Sequence, residues 1–86
     1  MYTLYVSMDL DRVRTLGLQL ITNAVEVIFK QNGGVVNGAG AGFGFRDIDG
    51  DFRTIKNAKR AKEEVEKFCS NTGIRCEASC RKRTGR

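Results

Sequence analysis

Five cations, Arg53, Lys56, Lys59, Arg60 and Lys62, fall within ten residues, and a second group, Arg75, Arg81, Lys82 and Arg83, follows near the C-terminus. Lysine and arginine at this density suit the capture of phosphate oxygens by charge-assisted hydrogen bonds. Arg46 could join them, and Tyr5 supplies a ring able to stack on a base wherever the fold sets it beside the arginines. The stretch N-G-A-G-A-G-F-G-F at 37–45 places Gly38, Gly40, Gly42 and Gly44 at every second position. That is the period of a strand with one bare face. Each glycine costs roughly 0.5–1 kcal/mol relative to alanine in a regular strand. Close approach of a partner to the backbone would offset the cost; a curved or bulged edge strand is the alternative.

The order of charges in the first cluster runs against local helix stability. Its lysines and arginine precede Glu63, Glu64 and Glu66, whereas a helix favours acids at its start and bases at its end by about 0.3–1 kcal/mol each. Such an arrangement suits a partner. Surface pairing of Lys59 with Glu63, Arg60 with Glu64 and Lys62 with Glu66 is the plainer explanation, and it would neutralise part of the patch.

Other chemistries are poorly served. Histidine is absent and there are three cysteines, Cys69, Cys76 and Cys80. Four-ligand zinc sites built from Cys and His, and the usual base beside a serine or cysteine nucleophile, are thereby excluded. Asp47, Asp49 and Asp51 have the opening spacing of a calcium loop, but Phe52 and Ala58 stand where its glycine and bidentate glutamate belong. The chain is therefore read as a non-enzyme with no cofactor and no metal. An odd cysteine count argues against a secreted disulfide framework and for a cytoplasmic setting. Polar residues interrupt the longest apolar stretch, Leu16 to Phe29, so no membrane span is expected.

Eighty-six residues with 41% hydrophobic content make one domain, with a single core. Residues 1–51 hold four Lys/Arg against six Asp/Glu and residues 52–86 eleven against four, so the halves carry −2 and +7. A polyanionic partner is the natural complement of the second half.

The elements that must position these groups follow from periodicity. Tyr2, Leu4, Val6 and Met8 alternate with polar neighbours as a first strand. Asp9 precedes a helix over Leu10 to Gln31, with Gly17 inside it and Asn32-Gly33-Gly34 ending it. A second strand spans Val35 to Arg46, Asp47 to Gly50 make a turn, and Asp51 to Arg53 begin a third strand. That turn would set Phe45 opposite Phe52. Thr54 caps a second helix whose buried stripe includes Ala58, Ala61, Val65 and Cys69. Ile74 to Arg81 form the last strand. The domain is thus 1–81, with a basic tail at 82–86. Ala39, Ala41, Phe43 and Phe45 are expected to face the helices and the four glycines to face outward, beside Thr3, Tyr5, Ser7, Arg53, Arg75, Glu77, Ser79 and Arg81.

Strand, helix, strand, strand, helix, strand is an order that resembles the ferredoxin-like split βαβ architecture over almost the whole chain. The resemblance implies an α+β fold, βαββαβ, with a four-stranded antiparallel sheet and two helices on one face. A tyrosine among arginines on the open face resembles sheet-surface RNA binders of the RNA-recognition-motif kind, although D-F-R-T-I-K lacks their aromatic signature on the third strand. The segment G-A-G-A-G-F-G-F-R resembles the phosphate loop of acylphosphatases through Gly38, Gly42, Gly44, Phe45 and Arg46. That loop must follow the first strand, and here it does not. The compact, proline-free chain is also similar to small phage-encoded regulators. The expected function is RNA or single-stranded nucleic-acid binding by electrostatic capture. The alternative is an inhibitor or accessory subunit that binds a protein, or a second copy of itself, through the glycine-rich edge.

Overall fold

The computed structural model describes residues 1–83 and is an α+β fold, a four-stranded antiparallel sheet with three helices. The elements are β1 (Tyr2–Asp9), α1 (Leu10–Leu16), α2 (Leu18–Gln31), β2 (Val35–Gly42), β3 (Phe45–Phe52), α3 (Ile55–Thr72) and β4 (Cys76–Lys82). In the sheet they lie in the order β2-β3-β1-β4, every neighbouring pair antiparallel. It follows that β1 and β2 run in the same direction with β3 between them, and β3 and β4 likewise with β1 between them.

The core forms where the apolar residues of one sheet face meet the helices. Leu4, Val6 and Met8 of β1, and Ile48 and Phe52 of β3, are buried against Val25 and Phe29 of α2 and Ala58, Ala61 and Val65 of α3. The Phe29 and Phe52 rings meet at 5.5 Å between centroids. Thr54 caps α3 by accepting the Asn57 backbone N–H at 3.1 Å, and Gly73, at φ 71°, ends it in the left-handed conformation.

Three expectations need correction. The first helix is two helices, because Gly17 takes φ 118°, ψ 105°, outside the helical region, and so separates α1 from α2. The hairpin turns at Phe43-Gly44 rather than at 47–50. Both residues have positive φ, 53° and 83°, as a two-residue hairpin loop whose twist matches its strands requires. Gly50 sits inside β3 for a packing reason instead, with the Phe29 ring lying against its bare backbone. Phe45 and Phe52 consequently end the same strand. Phe45 pairs with Gly42 and Asp9, and Phe52 with Tyr2.

β4 continues through Lys82, where the tail was expected to begin, and the Arg83 N–H donates to the Met1 carbonyl at 2.8 Å. Of that tail, residues 84–86 lie outside the described residues.

Candidate interaction site on the open face and the β2 edge

Directly paired residues of adjacent strands share a face, so the register lays out the open side of the sheet in rows. The first row reads Val35, Asp51, Thr3, Arg81; the second Gly38, Asp49, Tyr5, Ser79; the third Gly40, Asp47, Ser7, Glu77; the fourth Gly42, Phe45, Asp9. Three of the four glycines, Gly38, Gly40 and Gly42, therefore look outward, and Gly44 is in the turn. Ala39 and Ala41 share the helix side with Ile48 and Arg46, but both are exposed. Phe43, at the turn, is wholly exposed, and Phe45 lies on the open face. Both aromatics were expected against the helices.

The charge of the open face also differs from the expectation. Behind the glycines stands a column of carboxylates, Asp47, Asp49 and Asp51, with Asp9 and Glu77 near by. The sequence reading places Asp47 and Asp49 in a turn and Asp51 at the start of the next strand, and so misses the column. The signal was there, since Asp47, Asp49 and Asp51 alternate with Ile48, Gly50 and Phe52 at the period of two that marks a strand.

The carboxylates differ in setting. Asp51 is buried, accepts the Thr3 hydroxyl at 2.6 Å and pairs with Arg83. The Thr3 hydrogen bond first, then the Asn37 amide and the Arg83 charge, hold its carboxyl below the usual aspartate range despite burial. Asp47 and Asp49 have no ion pair among the described residues. With Tyr5, Ser7, Glu77 and Ser79 they line a shallow depression in the middle of the open face.

The expected nucleic-acid residues do not share one surface. Arg81 is on the open face, its guanidinium 5.8 Å from the centre of the Tyr5 ring, so the tyrosine already has a cation over it. Arg83 is engaged with Asp51. Arg75 is at the opposite end, lining a depression with Arg12, Phe43 and Phe45. Arg46 belongs to the helix side, where its Nε donates to the Thr22 hydroxyl at 3.1 Å. Arg53 follows the end of β3 and is not part of the sheet. Lys56, Lys59 and Arg60 are exposed on α3, and Lys62 is half-buried 3.7 Å from Glu66. Lys59 and Lys62 meet Ser79 and Cys80 of β4 in one depression, beside Arg81 and Lys82 further along that strand. The structure thus gathers a basic margin where α3 meets β4, and its Arg81 and Lys82, with Arg83, also line a depression on the open face that reaches Tyr5, Asp49 and Asn37.

Burial works against Cys69 and Cys80 as nucleophiles. Burial, first among the causes, pushes the Cys69 thiol up to about 12 and raises that of Cys80 despite nearby lysines. Among the described residues no group of acids and cysteines is arranged to hold a metal ion, and no helix is long and apolar enough to cross a membrane.

The two edges of the sheet are unlike. β4 carries Glu77, Arg81 and Lys82, the charged residues that discourage pairing with another strand. β2, V-V-N-G-A-G-A-G, carries no charge and no proline; its one irregularity is a bulge between Val36 and Gly38. A Cβ added at Gly40 or Gly42 would meet nothing within 4 Å, and neither residue has positive φ. Alanine at either position should therefore leave the fold intact and raise stability by about 0.5–1 kcal/mol, read from the urea midpoint. A fall in stability would show that the backbone there needs glycine.

No protein-family model matches the chain, and no curated protein matches it either.

Proposed function

We propose that this chain is a protein-binding accessory or inhibitor subunit that takes an extended segment of its partner onto the β2 edge. One observation carries the reading: of two sheet edges, β4 is charged and β2 is left uncharged, glycine-lined and open. Edge pairing obtains affinity from main-chain hydrogen bonds, and bare neighbours leave room for the partner's side chains. The strand order, with β3 between the parallel β1 and β2 and β1 between the parallel β3 and β4, supports assigning the fold to the ferredoxin-like class, with its first helix broken at Gly17. Three free cysteines suit a reducing, cytoplasmic setting.

A second reading, RNA or single-stranded nucleic-acid binding, rests on the basic margin of Lys59, Lys62, Arg81 and Lys82 extended along α3 by Lys56 and Arg60. The acidic centre of the open face favours the first.

One pull-down from the source cell, run with three forms of the protein, separates the two. Ala39→Lys with Ala41→Lys puts two charges on the β2 edge and should abolish a salt-tolerant, stoichiometric protein complex. Lys56→Glu with Lys59→Glu and Arg60→Glu should leave that complex intact. The opposite pattern, bound nucleic acid lost at high salt and in the glutamate variant alone, would overturn the edge reading.

A further inference from the structure

We infer that the segment paired with β2 is basic, carrying arginine or lysine at alternate positions that reach across the glycines to Asp47 and Asp49. The inference rests on the edge-strand reading above and adds the chemistry of the partner.

A strand added beside β2 would place its outward side chains level with Gly38 and Gly40, and the next residues inward are Asp49 and Asp47. Adjacent strands are about 4.8 Å apart, so the added residue and the aspartate are separated by roughly 9.6 Å. In an ordinary sheet the intervening side chain blocks that path. Here the intervening residue has none: a Cβ would meet nothing at Gly40, and at Gly38 its nearest neighbour, 3.6 Å away, would be Asp49 Oδ1 itself. A long cationic side chain can lie along the bare backbone and bring its head to the carboxylate.

Charge selects the occupant. Asp47 and Asp49 lack an ion pair among the described residues, and Glu77 stands on the far wall of the same depression, so a cation entering it meets several acceptors. A planar guanidinium can bind a carboxylate through two hydrogen bonds, which makes arginine the better fit. On the other side of the sheet the exposed neighbours would be Ala39 and Ala41, so the alternate residues of the segment can be small and apolar. An acidic or phosphate-bearing partner beside Gly38 and Gly40 would instead meet Asp49 and Asp47, and would find cations only toward Arg81, Lys82 and Arg83 at the other end of the face.

The test uses the full chain and two end-blocked peptides, one alternating arginine with valine, the other with citrulline in place of each arginine. Binding is read by fluorescence anisotropy and by hydrogen exchange of the Gly38–Gly42 amides. The arginine peptide should protect those amides. Its affinity should fall about tenfold in Asp47→Asn with Asp49→Asn, and the citrulline peptide should bind about tenfold more weakly to the unaltered protein. Equal binding of both peptides, or by the asparagine variant, would overturn the charge inference and leave edge pairing standing. No protection of β2 by either peptide would overturn both. Protection by a second copy, seen as self-association that displaces the peptide, or by an RNA oligonucleotide, would overturn the assignment of a basic protein segment.

Discussion

Replacing Gly50 by alanine is expected to cost about 3 kcal/mol of stability, at the upper end for overpacking a core. A Cβ there would lie 2.6 and 2.8 Å from two carbons of the Phe29 ring and 2.7 Å from the Val35 carbonyl oxygen. Neither neighbour can give way. Phe29 is wholly buried and held against Phe52, and the carbonyl belongs to the backbone of the adjacent strand. The urea midpoint should fall with little change in slope. Adding Phe29→Leu should recover only part of the loss, because the carbonyl remains in the way. A Gly50→Ala protein as stable as the parent would show that the ring does not lie against this strand. The contrast with Gly40 and Gly42 is direct, since the same methyl group that strains the core at one position meets open space at the others.

The second large effect is at Asp51. Thr3→Val removes the hydroxyl that donates to this buried carboxylate at 2.6 Å, and hydrogen bonds to charged groups are worth about 1.5–3 kcal/mol. A loss of about 2 kcal/mol is expected at neutral pH. Because the native state holds the Asp51 carboxyl below its ordinary value of 3.8, its contribution is complete well above that pH. It is lost as pH falls through the depressed native value, when the carboxylate must take up a proton. The stability difference between Thr3→Val and the parent should therefore be greatest at neutral pH and shrink below pH 3.8. Urea unfolding at neutral and strongly acid pH reads it, and a difference that does not change with pH would exclude the carboxylate as its source. Arg83→Gln should matter less, since its side chain is 57% exposed and screened by water.

Much of the framework was legible because burial imposes a period. Leu4, Val6 and Met8 announce β1, and Ala58, Ala61, Val65 and Cys69 announce α3, each by spacing alone. The outward direction of Gly38, Gly40 and Gly42 is legible from the period of two alone, since Ala39 and Ala41 between them are exposed. The hairpin was not. Aspartate and glycine at 47–50 have the composition of a turn, whereas the actual turn asks Phe43 to adopt φ 53°, a conformation bulky residues rarely take. Placing the turn too late takes Asp47 and Asp49 out of the sheet and leaves its open face looking more basic than it is. The break at Gly17 is not announced, because backbone conformation cannot be read from composition. The cations were visible as clusters, but which side of the sheet each occupies depends on register and on the path of the chain after each strand. Arg46 illustrates the point: one residue from Phe45 in sequence, it lies on the other side of the sheet.

The bulge between Val36 and Gly38 has a further consequence. It leaves a regular stretch of five residues, Gly38–Gly42, about 17 Å long at the usual rise of a strand. So short an edge offers few main-chain hydrogen bonds, and under the edge-pairing proposal competing segments would exchange along it quickly, as on a reusable latch rather than a permanent seam.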